Sequence, residues 1–268
     1  MKVSQKVILV TGGGAGIGRE VVLELLRRGA KVAAVDLNEK GLAETATLAG
    51  PTANRLSTHV ANIADRATVQ ALPAAVIMTH GQVDGYVNVA GIIQKFKRVN
   101  DLEFEDIERV IDVNLWGPIN LLKAFLPELL KRPEAHIANV SSMGGYAPVP
   151  GQTIYGATKA AVKLLTEGLH SELMGTHVGV TTVFPGAVST NIAQNSGIAT
   201  AAEMAAMDTG SIKMASPVLA GKLIVDGIEK RAYHVFIGSD AKTMDVLTRL
   251  MPERAAKLIF SQMKGLLK

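Results

Sequence analysis

An aliphatic run followed by a glycine-rich turn limits the fold of this chain more than any other stretch. Val7–Val10 shows no polar alternation, which is typical of a strand buried on both faces of a parallel sheet. Thr11–Gly18 contains five glycines, and Arg19–Arg28 then carries apolar residues at helical spacing. Strand, glycine turn and helix come in the order that a dinucleotide site requires, because glycine lets the backbone approach a pyrophosphate and the helix N-terminus supplies amide donors. A tight connection that binds nothing is the alternative.

The second strand ends on an acid that predicts the type of dinucleotide. Lys31–Val35 leads into Asp36, about 20 residues past the glycines, where a carboxylate accepts from ribose hydroxyls and repels a 2′-phosphate. Leu37 and Asn38 follow, so no basic residue stands next to the acid. NAD is therefore expected, and NADP is disfavoured; an acidic helix N-cap is the alternative role of Asp36. The residues of this region that we expect to contact the cofactor are Gly12, Gly14, Gly16, Ile17, Gly18, Asp36 and Leu37.

Helical and strand patterns then alternate, which predicts an α/β fold: one doubly wound (Rossmann) domain over residues 1–240, with a seven-stranded parallel sheet and helices on both faces. The pattern indicates helices at about 39–49 and 65–79 and strands at 54–60 and 83–89. Pro73 is expected to kink or split its helix. Ligands bind beyond the carboxyl ends of such strands. The candidates there are Asn62, which could accept from an adenine amine or be an ordinary turn residue, and Ile63, Asn88, Ala90 and Gly91.

The stretch from Ser142 to Lys159 carries the chemistry. Tyr155 and Lys159 lie at i and i+4 of a predicted helix, so phenol and ammonium share one face. A free phenol has a pKa of about 10, and lowering it to about 7 takes roughly 4 kcal/mol, which a nearby positive charge can supply. Ser142 lies at the end of the apolar run Ala135–Val140. The loop that follows could fold back and bring the Ser142 hydroxyl beside the Tyr155 phenol. Two hydroxyls on one oxygen suit polarising a carbonyl or deprotonating an alcohol. A surface neighbour pair is the alternative for Tyr155 and Lys159.

Three further segments bear on the site. The helical run Glu103–Lys131 contains Asn114 and Gly117-Pro118, which predicts an interruption and a structural or water-holding role for Asn114. Residues 188–215 are predicted to form a substrate lid, with Met204, Met207 and Met214 as bulky apolar members, or else a packed helical hairpin. Residues 241–268 form an amphipathic helical extension. Its apolar stripe is expected to dock on its own subunit or a partner, with a membrane surface as the less favoured alternative; the stripe comprises Ala255, Leu258, Ile259, Met263, Leu266 and Leu267.

Composition excludes several classes of function. Hydrophobic residues make up 48% of the 268 and charged residues 19%, so a large core is available. The net charge of +4 is spread along the chain, which does not indicate a nucleic-acid surface. There is no cysteine and the six histidines show no ligand spacing, so no metal site is predicted. No targeting or spanning pattern is evident, and we expect a cytoplasmic protein.

Taken together, these motifs resemble the short-chain dehydrogenases/reductases of the single-domain kind over about residues 6–238. The resemblance rests on an ordered set: Thr11-Gly12 with Gly16 and Gly18, Asn88-x-Ala90-Gly91, Asn114, Ser142, Tyr155, Lys159 and Pro185-Gly186. Val89 stands where the family has a second Asn, and Asn62 where it has an acid, which bears on adenine affinity and not on the reacting atoms.

The resemblance implies roles for the residues. Tyr155 is the catalytic acid/base and Ser142 orients the substrate oxygen. Lys159 lowers the pKa of Tyr155 and holds the nicotinamide ribose, and Asn114 supports a relay water. Val188 and Thr190 hold the nicotinamide carboxamide beside Pro185 and Gly186. A homodimer or homotetramer built through the helices of Asn114 and Tyr155 is also implied.

The predicted function is hydride transfer between NAD and a secondary alcohol or ketone, with the Met-rich lid favouring a hydrophobic substrate. A catalytically silent nucleotide-binding scaffold or sensor on the same fold is the alternative. Such proteins typically lose the Tyr or Lys, whereas this chain keeps Ser142, Tyr155 and Lys159. The sugar-nucleotide epimerase branch shares Tyr and Lys but has a differently spaced glycine motif and an added domain.

Overall fold

A computed structural model describes residues 1–190, 192–198 and 214–267 of the chain. Seven parallel strands form one sheet in the order β3-β2-β1-β4-β5-β6-β7, which confirms the predicted doubly wound architecture. The strand order reverses between β1 and β4, and this opens a crevice at their carboxyl ends. The strands are β1 Val7–Thr11, β2 Lys31–Asp36, β3 Leu56–Val60, β4 Gly85–Asn88, β5 Ala135–Val140, β6 Val178–Pro185 and β7 His234–Ile237.

Helices cover both faces of this sheet. The helices are α1 Gly16–Arg27, α2 Glu39–Leu48, α3 Arg66–His80, α4 Phe104–Ile111, α5 Gly117–Leu129, α6 Thr153–Glu172, α7 Ile192–Asn195, α8 Pro217–Lys230, α9 Ser239–Leu250 and α10 Pro252–Met263. Strand β1 shows why its sequence has no polar alternation: Ile8 and Val10 pack into the core beneath α1 and α8, and Val7 and Leu9 pack into the core beneath α3, α5 and α6. Each such side chain contributes about 1.5–3 kcal/mol when fully buried, so the two faces together place β1 at the centre of the fold.

Pro73 is expected from the sequence to kink or split its helix, and the split is not observed. Helix α3 runs unbroken from Arg66 to His80, with Asp65 capping the Thr68 amide at its start and the left-handed Gly81 ending it. Proline costs a helix interior about 3 kcal/mol because it removes one hydrogen bond and crowds the preceding turn. Pro73 is buried where α3 packs on α5, and this tertiary packing, together with the caps, offsets the local cost.

The C-terminal extension packs on its own chain through few residues. Ala255 and Ile259 of α10 are buried, while Phe260 is exposed. Leu258 is 43% exposed and therefore lies off the buried stripe to which its spacing assigned it. No helix in the described part of the chain is both long enough and apolar enough to span a membrane.

A buried histidine in β5 leads to a prediction about acid stability. His136 is 2% exposed. Its Nε2 lies 2.9 Å from the Thr181 hydroxyl oxygen, and that hydroxyl donates to the Ala232 carbonyl, so Nε2 carries the proton and donates to Thr181. Among the described residues Nδ1 has no hydrogen-bond partner. Burial, with help from the nearby Arg231, lowers the pKa of His136 to about 3.

We expect the stability of the protein to fall between pH 6.5 and 4.5 partly because of His136. The imidazole of His136 has a pKa of about 6.5 in the unfolded chain, so below that pH the unfolded chain binds a proton that the folded chain does not bind. This difference lowers the free energy of unfolding by about 2 kcal/mol over the interval. His136→Gln should be less stable at pH 7 but should lose less stability on acidification, measured by urea unfolding at several pH values. His177→Gln, at an exposed position, is the control. Parallel pH profiles for the wild type and His136→Gln would contradict the prediction.

Candidate active site

A groove of about 520 Å³ runs across the carboxyl ends of the strands, where the strand order reverses. It joins the turn after β1, the end of β2, and the segments that follow β3, β4, β5 and β6. Most of the predicted site residues meet here. Those that line the groove are Gly12, Gly16, Ile17, Gly18, Asp36, Leu37, Asn62, Ile63, Ala90, Gly91, Ser142, Tyr155, Lys159, Pro185, Gly186, Val188 and Thr190. Gly14, Asn88 and Asn114 stand behind it and hold it together.

The glycine turn is tight because side chains do not fit in it. Gly12 and Gly16 have φ angles of +69° and +51°, in the left-handed region that favours glycine. A Cβ on Gly18 would overlap the Gly12 carbonyl, and a Cβ on Gly12 would lie 3.1 Å from the Ala90 amide. Among the described residues no side chain caps the start of α1, so its first amides stay available to a ligand. The turn is therefore a cradle open to an anionic group.

Asn88 holds the two strand ends together. Its Oδ1 accepts from the Thr11 hydroxyl at 2.7 Å, and the Thr11 oxygen accepts from the amides of Val89 and Ala90, each at 3.1 Å. This network brings Ala90 and Gly91 next to the glycine turn. Asn88 itself is 2% exposed, so its contribution is to position the groove rather than to touch a ligand.

Asp36 holds the far end of the glycine turn. Its Oδ2 accepts from the Gly14 amide at 2.9 Å and its Oδ1 from the Asn38 amide at 2.9 Å. Asn38, not Asp36, caps α2 by accepting from the Gly41 amide at 3.1 Å, so the N-cap alternative for Asp36 is wrong. Asn62 shows the turn role considered for it, because its Oδ1 accepts from the Ala64 amide at 3.0 Å, and its side chain also lines the groove.

Ser142, Tyr155 and Lys159 converge at the other end of the groove. Gly144 separates the first two: a Cβ built on it would lie 3.4 Å from Cε1 of Tyr155 and 3.5 Å from the Ser142 hydroxyl oxygen. That oxygen accepts from the Gly144 amide at 3.0 Å, which leaves the Ser142 proton free to donate. Lys159 Nζ lies 5.9 Å from the centre of the Tyr155 ring and donates to the Val140 carbonyl at 3.0 Å. The loop thus folds back as the sequence requires.

Burial favours the neutral form of both members of the pair in the chain alone. Burial raises the pKa of the Tyr155 phenol, and the nearby Ser142 hydroxyl, whose proton can donate to the phenolate, acts in the opposite direction. Burial lowers the pKa of Lys159 to about 8. In the chain by itself the desolvation of the phenolate outweighs the stabilisation by Ser142. The Lys159 Nζ donates its hydrogen bond to the Val140 carbonyl.

Asn114 lies in the interruption that its helical run predicted. The run divides into α4, a π-helical turn Asp112–Trp116, and α5. Asn114 is 1% exposed. Its Oδ1 accepts from the Ile92 amide at 2.9 Å, and its Nδ2 donates to the Ile92 carbonyl at 2.8 Å and to the Thr158 hydroxyl at 3.2 Å. The structural role left open for this residue is therefore observed, and the relay water remains a prediction.

Most of the predicted lid, residues 191 and 199–213 with Met204 and Met207, lies outside the described residues. At its two ends Val188 forms a β-bridge with Ala215, and Met214 is exposed. Ile192 and Asn195 of α7 line the groove.

Comparison with known proteins identifies the family. The sequence profile described as short chain dehydrogenase matches residues 6–201. The chain belongs to the short-chain dehydrogenase family. This short-chain dehydrogenase is 39% identical over 259 residues to a Mycobacterium tuberculosis (strain ATCC 25618 / H37Rv) protein named as the oxidoreductase SadH, a match that covers 95% of this chain and 94% of that one. Family membership makes it an oxidoreductase.

Two solved short-chain dehydrogenase structures share its fold. The first, from Burkholderia phymatum in complex with NAD, has 24% identity and a TM-score of 0.82 and covers 93% of this chain and 96% of that one. The second, from Burkholderia cenocepacia J2315 in complex with NADP, has 23% identity and a TM-score of 0.80 and covers 97% and 99%.

Sequence reasoning missed the polar residues that support the site of this short-chain dehydrogenase. Gln94 Oε1 accepts from the Tyr155 amide at 2.9 Å, and Gln152 Nε2 donates to the Gln94 carbonyl at 2.7 Å, so these two residues fix the start of α6. Ser196 binds the same loop, because its hydroxyl accepts from the Ile93 amide at 3.0 Å while Arg109 donates to its carbonyl. No periodicity marks these residues, and a glutamine three positions after Gly91 is the only local signal.

Proposed function

We propose that this short-chain dehydrogenase transfers a hydride between NAD and a secondary alcohol or ketone, with a hydrophobic substrate and Tyr155 as acid/base. One observation carries the proposal: Ser142, Tyr155 and Lys159 stand together at one end of a groove whose other end is the glycine turn and Asp36. That arrangement suits a ligand with a reactive ring at the first end and an adenosine at the second.

A nicotinamide dinucleotide fits this groove. Glycine lets the ligand's pyrophosphate approach the backbone at residues 12–18, and the uncapped amides of α1 can bind it. Asp36 would hold the adenosine ribose, and Lys159 with the segment Pro185–Thr190 would hold the nicotinamide riboside. When bound, the cofactor supplies the two-electron oxidation or reduction of the substrate carbon.

Residues of the chain transfer the proton to or from the substrate oxygen. In ketone reduction the Tyr155 phenol gives its proton to the substrate oxygen, and in alcohol oxidation the phenolate takes the hydroxyl proton. The free proton of Ser142 donates to the same oxygen and stabilises the charge that develops on it. Burial raises the pKa of Tyr155 in the chain alone, which favours the protonated phenol, the form that can give a proton to a ketone oxygen.

The preference for NAD rests on the surroundings of Asp36. A 2′-phosphate carries about two negative charges and would meet the Asp36 carboxylate. Arg19 is the basic residue beside the turn, but its guanidinium is bonded to the Gly14 carbonyl, the Thr45 hydroxyl at 3.0 Å and the Glu44 carboxylate at 2.7 Å. The Arg19 guanidinium is therefore bound to other groups rather than available to a 2′-phosphate. The two Burkholderia structures contain different cofactors, so the proposed preference for NAD rests on Asp36.

The hydrophobic substrate is supported by the walls of the groove near Tyr155. Ile92, Ile93, Val113 and Ile192 line it, and apolar walls with a few convergent polar groups are typical of sites for small apolar ligands.

A homodimer or homotetramer, a cytoplasmic location and a peripheral membrane contact of the C-terminal helix remain proposals.

Titration with NADH and NADPH tests the cofactor proposal. We expect NADH to bind at least about tenfold more tightly, equivalent to about 1.4 kcal/mol, followed by nicotinamide fluorescence. Asp36→Asn keeps the shape and one acceptor oxygen but removes the charge, so NADPH binding should strengthen and the preference should shrink. Asp36→Ala should lose the preference and also weaken NADH, because the Gly14 amide loses its acceptor.

Two results would contradict this proposal. Equal NADH and NADPH affinities in the unaltered protein would show that Asp36 does not select NAD over NADP. Binding of neither cofactor would favour the silent scaffold. If NADH binds, a panel of secondary alcohols of increasing hydrophobicity follows, and a preference for charged substrates would overturn the apolar assignment.

A further inference from the structure

The first turn of α9 lies between the two irregular segments of the active site. One is the serine loop, residues 142–151, which carries Ser142. The other is the 185–190 loop, which the proposed function assigns to the nicotinamide end of the cofactor. The 185–190 loop contacts Asp240 of this turn, and the serine loop contacts the next residue, Ala241, where the C-terminal extension begins.

Asp240 holds the 185–190 loop from behind. Its Oδ2 accepts from the Ala187 amide at 2.8 Å. A Cβ on Gly186 would overlap both carboxylate oxygens, and a Cβ on Gly238, whose φ is +94°, would overlap Oδ1. The two glycines therefore make room for this carboxylate. The Ala187 carbonyl accepts from the Ala215 amide at 2.8 Å, so Ala187 is held on both sides.

Tyr146 holds the serine loop to the same turn. It directly follows the 3₁₀ turn Met143–Gly145, and its hydroxyl donates to the carbonyl of the fully buried Ala241 at 2.7 Å. Its ring lies 5.5 Å, edge to face, from Phe184, which precedes the 185–190 loop. Burial and the nearby acids Asp245 and Asp240 raise the pKa of Tyr146, so its hydroxyl remains a donor at working pH.

We propose that Asp240 and Tyr146 are positioning residues, and that through them the first turn of α9 braces the serine loop and the 185–190 loop at a fixed separation. The C-terminal extension is then part of the active site rather than an appendage to it. The brace rests on the proposed function, because it acts on the nicotinamide end of the cofactor and on Ser142. Among the described residues, Asp240 and Tyr146 make no hydrogen bond to the glycine turn or to Asp36.

Loss of the brace has a distinct signature. Asp240→Ala leaves the Ala187 amide without its acceptor, and the 185–190 loop relaxes into the space of the carboxylate. Binding of the nicotinamide end weakens while binding of the adenosine end is unchanged. NADH contacts both ends, whereas ADP-ribose lacks the nicotinamide ring, so the ratio of their affinities reports on the brace alone.

The experiment is calorimetric titration of NADH and ADP-ribose into the full chain and its variants. Asp240→Ala is expected to weaken NADH at least about tenfold and ADP-ribose less than about twofold. Asp240→Asn retains a carbonyl acceptor of the same shape and is expected to restore most of the NADH affinity. Lys242→Ala, an exposed neighbour on the same turn, is the matched control and is expected to bind both ligands normally.

Tyr146→Phe is a second, milder variant that removes only the hydroxyl. It is expected to lower kcat about fivefold, the value of one ordinary hydrogen bond, with ADP-ribose affinity unchanged. This variant keeps the proposal testable if Asp240→Ala does not fold, as judged by circular dichroism.

The failures are distinguishable. If the unaltered protein binds ADP-ribose but not NADH, the proposed function fails and the brace fails with it. If the unaltered protein binds NADH and Asp240→Ala binds it equally well, only the brace is overturned. An equal loss of affinity for both ligands in Asp240→Ala would show a general structural role and would also overturn the brace.

Discussion

Tyr155→Phe is expected to lower kcat by about 10³-fold or more, because it removes the group that exchanges a proton with the substrate oxygen. General acid–base catalysis contributes about 10²–10⁴-fold, and Ser142 can polarise the oxygen but cannot replace the phenol as a proton donor of suitable pKa. The ring itself remains, so packing around the Gln94–Gln152 bonds at the start of α6 is preserved. The affinity for NADH should therefore change less than about twofold.

The measurement is steady-state turnover of a secondary alcohol with NAD, beside fluorescence titration of NADH for each protein. Tyr233→Phe is the matched control, since Tyr233 is 45% exposed and lies outside the groove. Near-normal turnover by Tyr155→Phe would remove Tyr155 from the mechanism. A parallel loss of NADH affinity would show that the substitution disturbs the groove rather than the proton transfer.

Gly18→Ala is expected to weaken NADH binding at least about 100-fold, equivalent to about 2.7 kcal/mol. A Cβ at this position would overlap the Gly12 carbonyl, which is backbone and cannot rotate away. The turn can accept the methyl group only by moving Gly12 and the Gly13 amide away from α1, and this distorts the cradle that would bind the pyrophosphate.

Gly168→Ala is the matched control for this change. Gly168 lies in the interior of α6 and is exposed, and a Cβ added there would meet none of the described residues beyond its own turn of helix within 4 Å. That substitution should raise the stability of the protein by about 0.5–1 kcal/mol, because alanine restricts the unfolded chain and favours helix. Titration and thermal unfolding of both variants separate a binding defect from a folding defect. Normal NADH affinity in Gly18→Ala would contradict the role assigned to the glycine turn.

Features that depend on near neighbours in the chain were predictable. The buried character of Val7–Val10, the glycine turn and the alternation of helix and strand all follow from spacing within about 20 residues, and together they predict the parallel sheet and its crevice. The spacing of Tyr155 and Lys159 predicts their common face. The Asn and the Gly-Pro pair at residues 114–118 predict a break in the long helix, which the structure shows as a π-helical turn.

Features that depend on competition between distant groups were not predictable. Pro73 reads locally as a helix breaker, yet packing against α5 keeps α3 intact. Leu258 fits the apolar stripe of α10 but is exposed, because the surface beneath α10 accommodates Ala255 and Ile259. The burial that raises the pKa of Tyr155 in the chain alone depends on residues that the chain brings together only on folding.

The sequence by itself determined the fold class, the family and the residues that meet at the groove, because each is encoded in a short pattern whose geometry is set by the backbone. Only the tertiary structure decided which residues hold those groups in place, namely Gln94 at the Tyr155 amide, Ser196 at the Ile93 amide and Asp240 at the Ala187 amide. Each of these contacts joins residues between 53 and 103 positions apart. A hydrogen bond over such a separation has no periodic signature, and it exists only because the sheet brings the carboxyl ends of distant strands to one edge.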